Sequence, residues 1–163
     1  MANIYGVLDC AVDPQLHEHA ERLQPHFSEC LFAGRLKPQL LQVSPWVVEL
    51  APSDPLSQLW RSQGWGKNWG ILIVSSESLA FVRRRLRHFT QAKLPSGEGP
   101  VLFRFWDPRV FRIYMPLVEA DQLAQWFQGI ERYIVETEDG AGSIRYSLSG
   151  GKLSVQQGPA PAR

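Results

Sequence analysis

Cysteine, lysine and long apolar runs are all scarce in this chain, and each shortage argues against a class of protein. Among 163 residues there are two cysteines, Cys10 and Cys30, which are too few for a disulfide framework. No stretch approaches the roughly 20 apolar residues of a membrane helix. The N-terminus also lacks the basic segment and apolar run of a signal peptide. We therefore expect a soluble cytoplasmic protein that does not insert into membranes.

Net charge is small as well. The formal charge is +1, which argues against strong electrostatic affinity for nucleic acid. The basic residues are nevertheless unevenly chosen, with thirteen arginines and four lysines along the sequence. Because a guanidinium group makes planar, bidentate contacts that an ammonium group cannot make, this bias favours recognition of another protein.

The chain does contain a repeated junction between an apolar run and a helix start. Asp caps the free N–H groups of a first helical turn, and Pro at the next position has its φ already set for a helix. This dipeptide follows an apolar run three times, at Asp13-Pro14, Asp54-Pro55 and Asp107-Pro108. Such units predict an α/β fold, a single layered domain with a mostly parallel or mixed central sheet.

Four apolar runs are expected to lie in that sheet: Ile4–Leu8, Trp46–Leu50, Trp69–Val74 and Val101–Trp106. The third run is followed by serines, which can cap a helix in place of Asp-Pro. Short strands and Gly-rich turns after residue 131 predict a β-rich C-terminal end. We expect one domain over residues 1–157 and a disordered tail, GPAPAR, over residues 158–163.

The third Asp-Pro junction, VLFRFWDPRVFRIYMP, clusters three charged residues. Arg104 alternates with phenylalanines in the predicted strand, so we expect it to be partly buried and paired with a carboxylate, Glu49 first and Asp9 second. Asp107 should cap the helix and display Arg109 at its start. Because ligands and partners of layered α/β proteins often bind beyond the strand ends, this junction is the first candidate site.

Two groups of residues could carry chemistry, but neither forms a complete site. On one helix, His17 and His19 would point about 200° apart and His19 and His26 would lie roughly 10 Å apart, so no pair holds a metal ion alone. Cys10 follows the first strand and could act as a nucleophile with Asp9 or a nearby histidine, as in a small α/β hydrolase-like enzyme. That enzyme is the alternative, and no catalytic, cofactor or metal residue is assigned.

The segment GWGKNWG at residues 64–70 combines glycines with a lysine but does not predict a phosphate-binding loop. Its lysine is not followed by Ser or Thr, and the segment precedes a strand instead of following one. Trp65 and Trp69 in this segment either close the core or form a contact surface. Both are therefore candidate partner-binding residues.

The predicted helix from Ser78 to Phe89 carries a basic face opposite its apolar stripe. Arg83, Arg84 and Arg87 on that face fit a solvated surface, an acidic protein partner or a nucleic-acid groove. The near-zero net charge makes nucleic acid the weakest of these interpretations. These three arginines join the candidate partner-binding residues.

Taken together, several segments resemble a known family. IYGVLD, WVVELAP, GWGKNWGILIVSS, the basic helix and the stretch from VLFRFWDPR to Tyr133 occur in the order typical of domain of unknown function 4123. The resemblance runs from about Ile4 to Tyr133 and is to the type VI secretion effector adaptors, or effector chaperones (Tap), of Gram-negative bacteria. The family's signature positions would be Glu49, Gly66, Trp69, Gly70, Ser75, Arg104, Asp107, Pro108 and Arg109.

The resemblance implies a non-enzymatic adaptor without a cofactor. Such a protein binds one cognate secreted effector, a toxin, in the donor cytoplasm and promotes its loading onto the VgrG-like spike protein. Glu49, Arg104, Asp107 and Pro108 would then be structural signature residues. Arg109 would join the tryptophans and arginines named above as a partner-binding residue.

Overall fold

Nine strands carry most of the apolar segments of the chain. The computed structural model describes residues 1–24 and 26–162. The strands are β1 Asn3–Asp9, β2 Ser28–Cys30, β3 Pro45–Leu50, β4 Gly70–Ser75, β5 Gln91–Lys93, β6 Pro100–Leu102, β7 Arg132–Glu136, β8 Gly142–Ser149 and β9 Lys152–Pro159. Seven of them form one sheet in the order β2-β3-β1-β4-β7-β8-β9, and β5 and β6 form a separate ribbon.

Six α-helices connect or cover these strands. They are α1 Pro14–Arg22, α2 Pro38–Leu41, α3 Pro55–Leu59, α4 Leu79–Arg87, α5 Pro108–Tyr114 and α6 Ala120–Trp126. A π-helical turn, Trp60–Gly64, extends α3, and a 3-10 turn, Met115–Leu117, extends α5. All three Asp-Pro dipeptides stand at helix starts, as predicted.

The predicted parallel or mixed central sheet is wrong, because every neighbouring pair of strands is antiparallel. The helix α3 does join two strands that run in the same direction, β3 and β4. Strand β1 lies between them and runs the opposite way, with Tyr5 opposite Glu49 on one side and Ile73 on the other. The strand-then-helix pattern therefore correctly describes α3 as a connection between two strands of the same direction. It does not identify β1 as the strand that is hydrogen-bonded to both.

Three of the four predicted runs lie in the central sheet, and Val101–Trp106 does not. Only Pro100–Leu102 is extended there, and it pairs with Gln91–Lys93 in the separate ribbon. Phe105 and Trp106 follow in a turn and are fully buried against the helices. Their apolar character therefore reflects burial in the core and not strand formation.

Both faces of the sheet are covered, since neighbouring residues along a strand point to opposite faces. Tyr5 and Val7 on β1 pack with residues of α4, α5 and α6. Leu8 packs on the other face with residues of α1 and α3. The core therefore has two layers, separated by the sheet.

The last strand continues beyond the predicted domain boundary. Gly158 and Pro159 pair with Ser143 and Gly142, so they belong to β9 and not to the predicted tail. Within the described ranges, no helix has the length and apolar character needed to cross a membrane.

Candidate functional site

Three buried carboxylates lie at one end of the central sheet. Asp9 ends β1 and Glu136 ends β7, and these strands end on the same side because both run antiparallel to β4 between them. Asp107 precedes α5 and lies close enough to Glu136 for their charges to repel each other. We call Asp9, Asp107 and Glu136 the carboxylate cluster.

Arg104 pairs with Asp9, the second of its two predicted partners. Its guanidinium group donates to Asp9 Oδ2, and the backbone N–H of Ala11 donates to Oδ1 at 3.2 Å. The prediction of Glu49 as the partner is wrong, because Glu49 stands opposite Tyr5, towards the other end of the sheet. The Arg104 side chain is 43% exposed and that of Asp9 is 2% exposed, so only the carboxylate of this pair is buried.

Asp107 caps α5 as predicted, and it also orients Arg109. Its Oδ1 accepts the backbone N–H of Arg109 at 2.9 Å, and the guanidinium group donates to Oδ1 at 3.0 Å and to Oδ2 at 2.8 Å. Burial raises the pKa of Asp107, but these hydrogen bonds and nearby positive charges outweigh burial and hold the pKa below its ordinary value. Pro108 is the buried first residue of the helix. The Arg109 side chain stays 58% exposed, so its guanidinium group is held in one orientation at the protein surface.

Glu136 holds the glycine-rich loop at residues 64–70. Its two carboxylate oxygens accept the backbone N–H groups of Gly66 and Asn68, each at 2.8 Å, and Arg112 donates to its backbone carbonyl at 2.8 Å. Burial raises the pKa of Glu136, and the two N–H donors offset that rise only in part. Sequence reasoning missed this residue. The available signal was that the N–H groups of an irregular loop need an acceptor when they are buried.

The same loop packs tightly against the turn between β7 and β8. Gly66 and Gly140 have φ values of +87° and +69°, which favour glycine. A Cβ atom on Gly140 would lie 2.7 Å from the Cα atom of Gly66. The two backbones can approach this closely only because neither residue has a side chain.

The two tryptophans of the loop have different environments. Trp65 is half-buried, and its Nε1 donates to the carbonyl of Gly142 at 3.1 Å. Trp69 is buried, and its ring occupies the space left by the missing side chain of Gly64. Of these two candidate partner residues, Trp65 reaches the surface and Trp69 packs in the core.

Two of the candidate arginines of α4 hold strand β2 and the residue that follows it. Arg83 forms an ion pair with Glu29 at 3.0 Å and donates to a backbone carbonyl of β2. Arg87 donates to the carbonyl of Leu31 at 3.1 Å. Both side chains are half-buried, whereas Arg84 is exposed. Part of the basic face of α4 therefore stabilises the position of β2.

Cys10 is buried in an environment that disfavours its thiolate form. Burial raises the pKa of the Cys10 thiol and the charge of Asp9 adds to that rise, whereas an attacking thiolate needs a lowered pKa. His17 Nε2 lies 3.5 Å from Glu21, and its ring packs edge-on against Trp46. In residues 1–24 and 26–162, no three His, Cys, Asp or Glu residues are placed to hold a metal ion.

Comparison with known families agrees with the resemblance of the segments. The family model described as domain of unknown function (DUF4123) matches residues 4–125, which is most of the chain. The chain belongs to this family. No curated protein and no solved structure matches it. The description of DUF4123 assigns no activity, so membership defines the family without defining what the protein does.

Most of the expected DUF4123 signature positions lie around the carboxylate cluster. Ser75 has a different role, because its hydroxyl donates to the carbonyl of Gly129 at 2.6 Å and fixes a turn. Glu136 lies beyond the matched residues, although it holds the loop that contains three of these positions. The signature positions in or next to the cluster are Gly66, Trp69, Gly70, Arg104, Asp107, Pro108 and Arg109.

Proposed function

We propose that this DUF4123 protein is a non-enzymatic adaptor of a type VI secretion system. It binds a cognate effector, a secreted toxin, in the cytoplasm and promotes loading of that effector onto the VgrG-like spike protein. Support comes from the resemblance of the ordered segments and from membership of the family. The structure adds support through the exposed surface of α5 that includes Arg109.

One observation carries the proposal: large apolar side chains are exposed beside a fixed arginine. Ile113 is 72% exposed and Leu117 is 75% exposed. They follow Arg109 at intervals of four residues, so the three side chains share one face of α5 and of the turn after it. We call Arg109, Ile113 and Leu117 the α5 ridge. Arginine beside exposed apolar side chains is typical of protein interfaces.

The α5 ridge borders a concave surface and rests on a rigid base. A groove of about 640 Å³ lies between α5 and the β7–β8 turn, and Arg112, Thr137 and Glu138 are among its lining residues. Beneath the ridge, Asp107 orients Arg109 and the backbone carbonyl of Glu136 orients Arg112. A surface that is already ordered loses little conformational entropy when a partner binds.

The test is co-expression with candidate effector and spike proteins, followed by affinity capture of each. We expect Ile113→Asp and Arg109→Ala to reduce the captured effector by about tenfold, which is the loss of a contact of about 1.4 kcal/mol. The melting temperature of Ile113→Asp should stay close to that of the wild type, since Ile113 is largely exposed. Arg109→Ala should lower the melting temperature by a few degrees, because the buried carboxylate of Asp107 loses two donors.

Phe27→Asp is the matched control, because Phe27 is also an exposed apolar residue. It lies beside Glu49, near the end of β3 that is farther from Asp9. This variant should capture effector and spike protein as well as the wild type does. Failure of the wild type to capture either protein would refute the adaptor function. Equal capture by Ile113→Asp and Phe27→Asp would show that the α5 ridge is not the contact surface.

A further inference from the structure

A second concave surface lies on the sheet face opposite α5, beside the π-helical turn. This groove has a volume of about 230 Å³. Its floor comes from three neighbouring strands, with Ile4 of β1, Leu50 of β3 and Leu72 of β4, and Trp60 and Trp65 stand beside them. Ile4 is 41% exposed although β1 is a central strand, so the helices do not cover this part of the sheet.

One wall of the groove comes from the end of the chain itself. After β9, the carbonyl of Pro159 accepts a hydrogen bond from the Ser143 hydroxyl at 2.8 Å. The chain then leaves the sheet edge, and Pro161 and Ala162 line the groove against the tryptophans and the sheet. Residues 159–162, with the sequence PAPA, thus run from the sheet edge to one side of the groove.

The chemistry of the groove suits a proline-rich segment in particular. Proline has a fixed φ, so an extended segment that contains it loses little entropy on binding, and its ring packs well against aromatic side chains. Trp65 is half-buried and supplies aromatic surface, whereas Trp60 lines the groove with only 2% of its surface exposed. Pro52 supplies a further rigid ring at the rim.

We propose that this groove is a binding site for a proline-rich extended segment of a partner protein. Pro161 and Ala162 cover part of the site as a competing segment of the same chain, so the partner segment must displace them. The inference rests on the proposed function only for the identity of the partner. It locates the partner's docking segment on the opposite face of the sheet from the α5 ridge.

The test is fluorescence anisotropy with a labelled peptide of alternating proline and alanine, titrated with the full-length chain. The variant Pro161→Asp places a charge in an apolar groove and should release the competing segment. We expect it to bind the peptide at least about tenfold more tightly than the wild type, because an intramolecular competitor acts at a high effective concentration. A glycine–serine peptide of equal length should not bind either protein.

A second substitution tests whether the peptide binds in the groove. Ile4→Asp combined with Pro161→Asp puts a charge on the groove floor and should abolish peptide binding. Phe27→Asp combined with Pro161→Asp is the matched control, since Phe27 is 44% exposed and lies outside the groove, and it should bind as tightly as Pro161→Asp alone. Indole N–H signals of Trp60 and Trp65 should shift on addition of peptide to Pro161→Asp, a readout that does not require the Ile4 variant to fold.

Two results would overturn the inference. One is equal peptide affinity of Pro161→Asp and the wild type, which would mean that residues 159–162 compete with nothing. The other is unchanged indole signals in the presence of bound peptide, which would place the peptide elsewhere. Neither result would affect effector capture through the α5 ridge, so this inference and the proposed function can fail separately.

Discussion

Arg104 and Asp9 form an ion pair although 95 residues separate them in the chain. The pair ties the segment before α5 to the end of the central strand β1. Because Asp9 is buried, the carboxylate depends on few donors: Arg104 and the N–H of Ala11. This dependence makes the pair a point where the structure of the candidate site can be tested.

Arg104→Ala is expected to lower the free energy of unfolding by about 1–3 kcal/mol, because it leaves a buried carboxylate with one donor fewer. The loss is smaller than that for a fully buried pair, since Arg104 is 43% exposed. Urea unfolding measures it. The control is Arg132→Ala, which removes an exposed arginine without an ion pair among the described residues and should change stability by less than about 0.5 kcal/mol. An Arg104→Ala midpoint equal to that of the control would contradict the prediction.

Asp107→Ala should cost about 1–2 kcal/mol at neutral pH, because α5 loses its cap and Arg109 loses its partner. The folded pKa of Asp107 lies below the unfolded value, so its stabilising contribution is present above the unfolded pKa and is lost as pH falls through the folded pKa. The difference in unfolding free energy between wild type and Asp107→Ala should therefore shrink below about pH 4. Urea unfolding from pH 7 to pH 3 measures this.

Asp107→Asn serves as the comparison, because its side-chain oxygen can still cap the helix but carries no charge for Arg109. It should be more stable than Asp107→Ala at neutral pH and less stable than the wild type. A wild-type advantage over Asp107→Ala that stays constant down to pH 3 would show that the charge of Asp107 does not contribute.

Gly140→Ala should destabilise the protein more than Gly97→Ala does. Both glycines have similar left-handed φ values, +69° and +74°, so the backbone cost of alanine, about 1 kcal/mol, is shared. Only the Cβ atom at Gly140 would meet another backbone, at Gly66, whereas none lies within 4 Å at Gly97. The extra cost of this clash is about 1–3 kcal/mol. Equal melting temperatures of the two variants would mean that the loop and the β7–β8 turn separate easily.

Helix starts were predictable because their chemistry involves residues that are close in sequence. Asp13 and Asp107 each accept an N–H from two residues ahead, and Ser78 accepts one from three residues ahead. These hydrogen bonds depend little on the rest of the fold. Asp54 also stands before its helix but accepts from Ala51 instead, which the dipeptide alone could not reveal.

The directions of the strands were not predictable in the same way. An apolar run indicates that at least part of a segment is buried, but it does not identify the strand beside it. Strand β1 lies between β3 and β4, two strands that α3 connects in the same direction. The run Val101–Trp106 is as apolar as a central strand, yet only Phe105 and Trp106 fill the core, from a turn, and Val101 and Leu102 are exposed.

By itself the amino-acid sequence determined where the three Asp-Pro helices and the helix after Ser78 begin, and to which family the chain belongs. Only the tertiary structure decided that the sheet is antiparallel, that Arg104 pairs with Asp9 instead of Glu49, and that Glu136 holds the glycine-rich loop. The physical reason is how far apart in sequence the contacting residues are. Caps act within a turn of helix, whereas the carboxylate cluster joins residues from distant segments whose proximity depends on how the strands are ordered.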